Sequence, residues 1–196
     1  MSGAALRLED LSWRSRFGCK GPGAERWLAA GGYKVPSKPN TATVTEGTLV
    51  ARLATSEFLV EAVGEPQGRV ESTREQLEAP RSSHEPLRPS DVYPVTRQDL
   101  VIGIDGSETN TLLRQICSVD FEPELQASTA DSGPVVLTSM IGVGVVAWPR
   151  RRDAEAGITL WIDPSFTHYL WTTLLEVSRD IGVVEIIGDP VNRASE

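Results

Sequence analysis

Two histidines and two cysteines are the side chains of this 196-residue chain best suited to nucleophilic or metal chemistry. A Ser or Cys nucleophile needs a neighbouring His and an acid that orients the His. His84 lies in a polar segment, and His168 lies on the last predicted helix, away from its main apolar face. Cys19 and Cys117 are isolated, whereas a structural zinc site needs about four closely spaced ligands. The sequence therefore predicts no catalytic residue and no metal ligand.

Three glycine-rich segments have some of the features of a phosphate-binding loop. Residues 18–23 (GCKGPG) precede a predicted helix but lack the Gly-Lys-Ser/Thr ending of a P-loop. Residues 103–106 (GIDG) lack the third glycine of a dinucleotide-binding turn. Residues 142–144 (GVG) lie within an apolar stretch that predicts strand. These glycines indicate tight turns or close packing, and we expect no cofactor on this chain.

The charge of the chain excludes some classes of partner. The formal net charge is -8, and the isoelectric point is about 4.9. Nucleic-acid binding needs clustered Lys and Arg, but the one basic run, 150–152, is followed by Asp153 and Glu155. The N-terminal residues lack the apolar core of a signal peptide, and no apolar run approaches the ~20 residues that span a bilayer. We therefore expect a cytoplasmic protein that binds neither nucleic acid nor membrane.

The first third of the chain alternates strand-forming and helix-forming stretches. Residues 12–20 predict a strand and turn, and residues 22–30 predict a short helix with Pro22 in its first turn. Residues 41–52 and 57–63 are rich in β-branched residues and predict strands, with polar breaks at Glu46-Gly47 and Ser56-Glu57. We take residues 1–63 as the N-terminal half of one domain.

The stretch 64–90 differs in composition from its surroundings. Its 27 residues include four prolines, five glutamates, four arginines and four serines. The large apolar residues in it are Val70, Leu77 and Leu87. Such a segment buries too little apolar surface to offset the entropy lost on ordering. We expect a flexible linker, or an arm that orders on a partner.

Residues 91–196 form the second half of the same domain and repeat the order of the first half. Asp10-Leu11 and Asp99-Leu100 precede corresponding strand, turn and helix signals in the two halves. The predicted elements are a strand over 92–105, a helix over 108–116 with Ser107 as N-cap, one strand over 135–148 or two split at Gly142 or Gly144, and a strand over 157–162. The repeat predicts an α+β fold of two β-α-β-β-type units with antiparallel sheet.

The clearest predicted element is the last helix, over 164–181, which Asp163 can cap. Its main apolar face comprises Phe166, Tyr169, Leu170, Thr173, Leu174, Val177 and Ile181. Trp171 and Leu175 lie away from this face and begin a second apolar stripe. Such a stripe must be covered, either by another part of the chain or by a partner subunit. Trp171 and Leu175 are therefore candidate partner contacts.

Several short motifs resemble a known family. Residues 95–99 (VTRQD), 113–121 (LRQICSVDF), 136–143 (VLTSMIGV) and 169–171 (YLW) together resemble the gamma subunits of heterotetrameric sarcosine oxidases. Residues 10–12 (DLS) and 20–24 (KGPGA) resemble the wider folate-binding aminomethyltransferase superfamily. The resemblance implies a fold like the folate-binding domain of an aminomethyltransferase.

The resemblance also implies a function. Complexes of this type oxidatively demethylate N-methylglycine, and their FAD, FMN, NAD and tetrahydrofolate belong to the larger subunits. We therefore expect an accessory, non-catalytic subunit whose partners are the larger subunits of a hetero-oligomeric oxidase. Two alternatives remain open: a stand-alone tetrahydrofolate-binding one-carbon protein, and a gamma-like subunit of another amine-demethylating oxidoreductase.

Overall fold

The computed structural model describes residues 5–64, 67–79, 89–152, 155–182 and 184–192. The chain divides into two compact units. The first unit combines Met1–Trp13 with Gln98–Glu196, and the second unit is Arg14–Arg97. This division differs from the predicted halves, 1–63 and 91–196 with a linker between them. The physical reason is strand pairing between residues distant in the sequence, which local patterns do not encode.

The elements are named in chain order. The first part of the chain contains β1 (Leu6–Asp10), β2 (Arg16–Lys20), α1 (Ala24–Ala30), β3 (Thr41–Thr45), β4 (Thr48–Ala54), β5 (Glu57–Ala62), α2 (Gly68–Glu78) and β6 (Tyr93–Val95). The remainder contains β7 (Leu100–Asp105), α3 (Thr109–Ile116), α4 (Glu122–Ala127), β8 (Ser132–Pro134), β9 (Val136–Met140), β10 (Val143–Arg152), β11 (Glu155–Ile162), a 3-10 turn (Pro164–Phe166), α5 (Thr167–Ile181) and β12 (Val184–Ile187).

The second unit contains an antiparallel sheet with the strand order β6-β2-β5-β4-β3. Glu46 and Gly47, with φ of 50° and 70°, form the two-residue turn between β3 and β4. Left-handed backbone at both turn positions matches the right-handed twist of the strands. The helices α1 and α2 contribute to its core, which comprises Phe17, Cys19, Ala24, Leu28, Tyr33, Val50, Phe58, Val60, Ala62, Val70, Leu77 and Val92.

The helix α2 corrects the prediction of a linker over 64–90. Val70 and Leu77 are 1% and 0% exposed, and both belong to the core of the second unit. They are seven positions apart, so they share one helix face. Gln67 adds a polar anchor, since its Oε1 accepts from the backbone N–H of Ser15 at 2.8 Å. Residues 80–88 of the predicted linker lie outside the described residues.

The first unit contains a sheet with the strand order β12-β1-β7-β11-β10-β9. β12 pairs with β1 in parallel, and the other pairings are antiparallel. The single strand predicted over 92–105 is wrong, because β6 and β7 belong to different sheets. Pro94 lies in β6 at a sheet edge, where a missing N–H is tolerated. The apolar stretch 135–148 does split at Gly142, which has a φ of 79°.

Helices and antiparallel strands build the core of the first unit and confirm the predicted α+β fold class. The core residues are Leu6, Leu8, Leu100, Ile102, Ile104, Leu112, Leu113, Ile116, Phe121, Leu125, Met140, Val143, Val145, Ala147, Ile158, Leu160, Ile162, Leu170, Trp171 and Leu174. Ser107 is not the N-cap of α3; Glu108 occupies that position and makes no side-chain cap hydrogen bond. Among the described residues, no helix is long and apolar enough to cross a membrane.

The burial of Leu77 gives a test of the α2 packing. Replacing Leu77 with Ala should destabilise the protein by about 2–5 kcal/mol, because it removes a buried side chain and leaves a cavity. Replacing the neighbouring exposed Gln76 with Ala is the matched control and should change stability by less than about 0.5 kcal/mol. Urea denaturation of both variants measures the difference. Equal stabilities would mean that α2 does not pack as described.

Candidate functional site

A row of charged residues crosses four strands of the first unit. The pairing register places Arg7 of β1 opposite Asp105 of β7, Asp105 opposite Gly157 of β11, and Gly157 opposite Arg150 of β10. A Cβ at Gly157 would lie 2.3 Å from Asp105 Oδ1 and 3.3 Å from the guanidinium carbon of Arg150. Glycine at this position therefore lets the Arg150 side chain reach across β11 to Asp105.

The Arg150 guanidinium makes several hydrogen bonds along this row. Its Nη2 donates to both carboxylate oxygens of Asp105, at 2.8 and 2.7 Å, and its Nη1 donates to Thr159 Oγ1 at 3.0 Å. Arg7 Nη2 lies 3.5 Å from Asp105 Oδ2. The Arg150 and Asp105 side chains are 19% and 20% exposed, so solvent screens the pair only in part. This arrangement can hold the strands together, or it can bind a polar group of a ligand.

A second charged group lies within the sheet of the second unit. Glu61 of β5 is completely buried and lies opposite Arg16 of β2. Arg16 Nε donates to Glu61 Oε2 at 3.0 Å, and Arg14 Nη1 donates to Oε1 at 3.4 Å. Removing one partner of such a buried pair costs about 3–5 kcal/mol, because the other charge is left uncompensated. The group is therefore a structural element of this unit.

A shallow polar pocket lies beside Tyr33 in the second unit. The Arg69 guanidinium carbon is 4.4 Å from the centroid of the Tyr33 ring, and Arg69 Nη2 donates to the Gly31 carbonyl at 2.8 Å. Burial raises the pKa of Tyr33 above its usual value, while Thr73 and Arg69 act in the opposite direction. The pocket is lined by Gly32, Tyr33, Lys34, Thr45, Glu46, Thr48, Val50 and Arg69. The Tyr33 hydroxyl is hydrogen-bonded to Thr73 Oγ1 at 2.7 Å.

The structure describes three of the four candidate reactive side chains, namely Cys19, Cys117 and His168. Burial raises the pKa of the Cys19 thiol to about 12, so it is not a nucleophile at neutral pH. The Cys117 thiol donates to the Ser139 carbonyl at 3.3 Å. His168 is exposed on α5, and His84 lies outside the described residues. Within the described ranges, no group of three or more His, Cys, Asp or Glu side chains is arranged to hold a metal ion.

The predicted partner contacts on α5 need correction. Trp171 is 2% exposed and belongs to the core of the first unit, and Leu175 is half-buried against the same core. Phe166 and Tyr169, which were assigned to the main apolar face of the helix, are 43% and 49% exposed. Phe166 ends a 3-10 turn, so the 100° spacing of an α-helix does not extend back to it. The chain itself covers Trp171, whereas the half-buried Leu175 stays a predicted partner contact.

Comparisons with known proteins identify the fold. No protein-family model matches the chain, and no curated protein sequence matches it. Among solved structures, it is similar to the glycine cleavage system aminomethyltransferase T from Bartonella henselae, with a TM-score of 0.60 and 15% sequence identity. The match covers 95% of this chain and 49% of that enzyme, so the chain spans about half the length of its structural relative. The predicted aminomethyltransferase-like fold is confirmed.

The burial of Trp171 on α5 gives a second test. Replacing Trp171 with Ala should destabilise the protein by about 3–5 kcal/mol, because a large side chain leaves a packed core. Replacing the exposed Phe166 with Ala is the matched aromatic control and should cost less than about 1 kcal/mol. Thermal and urea unfolding of the isolated chain provide the comparison. A Trp171 variant as stable as the parent would restore this residue as a candidate surface contact.

Proposed function

We propose that this chain is an accessory, non-catalytic subunit of an oxidoreductase complex of the sarcosine oxidase type. In this proposal, larger subunits carry out the oxidative demethylation of N-methylglycine. The observation that carries the proposal is the aminomethyltransferase-like fold, which extends over 95% of the chain. This is the fold implied by the resemblance of residues 95–99, 113–121 and 136–143 to gamma subunits.

The charged groups of the two sheets support a structural role. Asp105 and Glu61 each accept hydrogen bonds from arginine side chains through both carboxylate oxygens. Each pair joins different strands, so its charges stabilise the sheet in which it lies. A subunit that contributes surface and stability to a complex needs such a rigid sheet more than it needs a reactive group.

The same carboxylates are held by arginine side chains. Asp105 and Glu61 each accept from arginines through both of their oxygens. In this proposal, tetrahydrofolate is assigned to the larger subunits. FAD, FMN and NAD are likewise assigned to the larger subunits, as the resemblance implies.

Assembly with the larger subunits is the direct test. When this chain carries an affinity tag and is co-expressed with the larger subunits of a sarcosine-oxidase-type complex, we expect them to co-purify as a flavoprotein. The tagged chain expressed alone should be colourless and inactive toward N-methylglycine. Absorbance at flavin wavelengths and oxygen consumption measure both properties. Full assembly, stability and activity of the larger subunits without this chain would overturn the proposal.

The alternative function, a stand-alone tetrahydrofolate-binding protein, is favoured by the similarity to an aminomethyltransferase. A ligand present at 100 times its dissociation constant stabilises a folded protein by about 2.7 kcal/mol. Under the proposed function, tetrahydrofolate should leave the melting temperature of the isolated chain unchanged up to millimolar concentration. An authentic folate-binding enzyme melted in the same buffer is the positive control. A concentration-dependent rise for this chain would favour the alternative.

A third possibility is a gamma-like subunit of a different amine-demethylating oxidoreductase. The same co-expressed complex distinguishes it, because the substrate is chosen by the larger subunits. Oxygen consumption with N-methylglycine, compared with other N-methylated amines, identifies the preferred substrate. Turnover of another amine in preference to N-methylglycine would support this third function.

A further inference from the structure

The strand β12 forms an edge of the sheet in the first unit. It pairs with β1 on one side, in a parallel register that places Leu8 opposite Ile186. Alternate residues of an edge strand direct their backbone N–H and C=O groups away from the sheet. Across the described part of the chain, no hydrogen bond reaches β12 on its outer side. These backbone groups are therefore available to another strand.

The side chains of β12 are unusually apolar for an open edge. Ile186 and Ile187 are 47% and 39% exposed. They point to opposite faces of the sheet, because successive side chains in a strand alternate. Soluble proteins commonly protect such edges with Lys, Pro or a covering segment. β12 carries apolar side chains on both faces beside an unpaired edge, the combination that an added strand buries.

The opposite edge of the same sheet provides an internal comparison. At β9, the Cys117 thiol donates to the backbone carbonyl of Ser139 at 3.3 Å. Next to it, the Tyr169 hydroxyl donates to the carbonyl of Ile141 at 3.1 Å. The unit therefore covers part of its β9 edge with its own side chains, whereas β12 has no such cover among the described residues.

The charge around β12 indicates which strand it would accept. Glu185 and Asp189 are exposed at this edge, and Glu9 lies opposite Ile187 on β1. Arg7, which lies opposite Glu185 in the register, has its guanidinium 3.5 Å from the carboxylate of Asp105. A strand with basic side chains would complement the negative charge at this edge. A second copy of this chain, with a net charge of -8, would be repelled.

We propose that β12 is the docking edge for an extended, basic strand of a larger subunit, which adds to the sheet of the first unit. This inference rests on the proposed function, because it takes the partner from the larger subunits of the complex. The added strand satisfies the outer backbone groups of β12 and covers Ile186 and Ile187. Glu185 selects basic side chains on the incoming strand, and Asp189, whose oxygens accept from Val191 and Asn192, adds negative charge nearby.

Hydrogen exchange of the backbone amides tests this docking directly. In the co-expressed complex, the outward amides of β12 should exchange at least about tenfold more slowly than in the isolated chain. Amides in the exposed turn at Gly142 serve as the internal control and should not change. A folded complex in which β12 exchanges at the same rate as in the isolated chain overturns this inference while leaving the proposed function intact.

A charge-reversal pair tests the predicted electrostatics. Glu185→Lys should weaken assembly by roughly tenfold, because it repels a basic strand. The matched control is Glu176→Lys, an exposed position on α5 with the same change in charge. Thermal melting of each isolated variant checks its fold, and the protection of β12 in the parent complex decides the outcome if Glu185→Lys does not fold. Equal weakening by both folded variants would overturn the assignment.

Two other outcomes would contradict the docking edge. Protection of β12 that rises with the concentration of the isolated chain would show pairing with a second copy and overturn the proposal. If the parent chain assembles with no larger subunit, the proposed function fails, and this inference fails with it. Weaker assembly of the Glu185→Lys variant but not of the Glu176→Lys variant, together with protection of β12, supports the docking edge.

Discussion

The fold of the first unit depends on the pairing of β1 with β7. Arg7 and Asp105, which this pairing places opposite each other, are 98 residues apart in the chain. Closing a flexible loop of this length costs about 4 kcal/mol beyond a constant, since the cost scales as (3/2)RT ln n. Burial of Leu6 and Leu8, both 0% exposed, contributes roughly 3–6 kcal/mol. These two leucines offset the closure and bring the start of the chain into its second half.

Paired charges impose a further constraint on both sheets. Arg150 reaches Asp105 only because Gly157 leaves space between them, and Arg16 reaches a completely buried Glu61. Each ion pair joins different strands. Substitution of one partner would therefore remove a contact and also leave the other charge without that partner. These charged side chains therefore have a structural role within their sheets.

Local sequence patterns predicted most helices and strands, but they did not predict which strands pair with each other. The split at Gly142 and the helix that ends before Gly182 follow from turn chemistry and periodicity, which are local. The helix α2 was not predicted, because the polar composition of 64–90 hides the spacing that places Val70 and Leu77 on one face toward the core of the second unit. The exposure of Phe166 was not predicted, because Phe166 ends a 3-10 turn, where the 100° spacing of an α-helix does not apply. Strand pairing and the Arg150–Asp105 row depend on distant residues, which no local pattern specifies.

The β12 edge alone is too small to hold a stable complex. Fully burying an isoleucine contributes about 1.5–3 kcal/mol, and Ile186 and Ile187 are already half-buried, so they contribute less. Association itself costs about 4–15 kcal/mol in lost translational and rotational freedom. A partner on β12 must therefore cover additional surface. Phe166 and Tyr169 lie at the start of α5, whereas β12 follows its end, and the 15-residue helix is ~22 Å long. A partner that contacts both regions would extend along the length of α5.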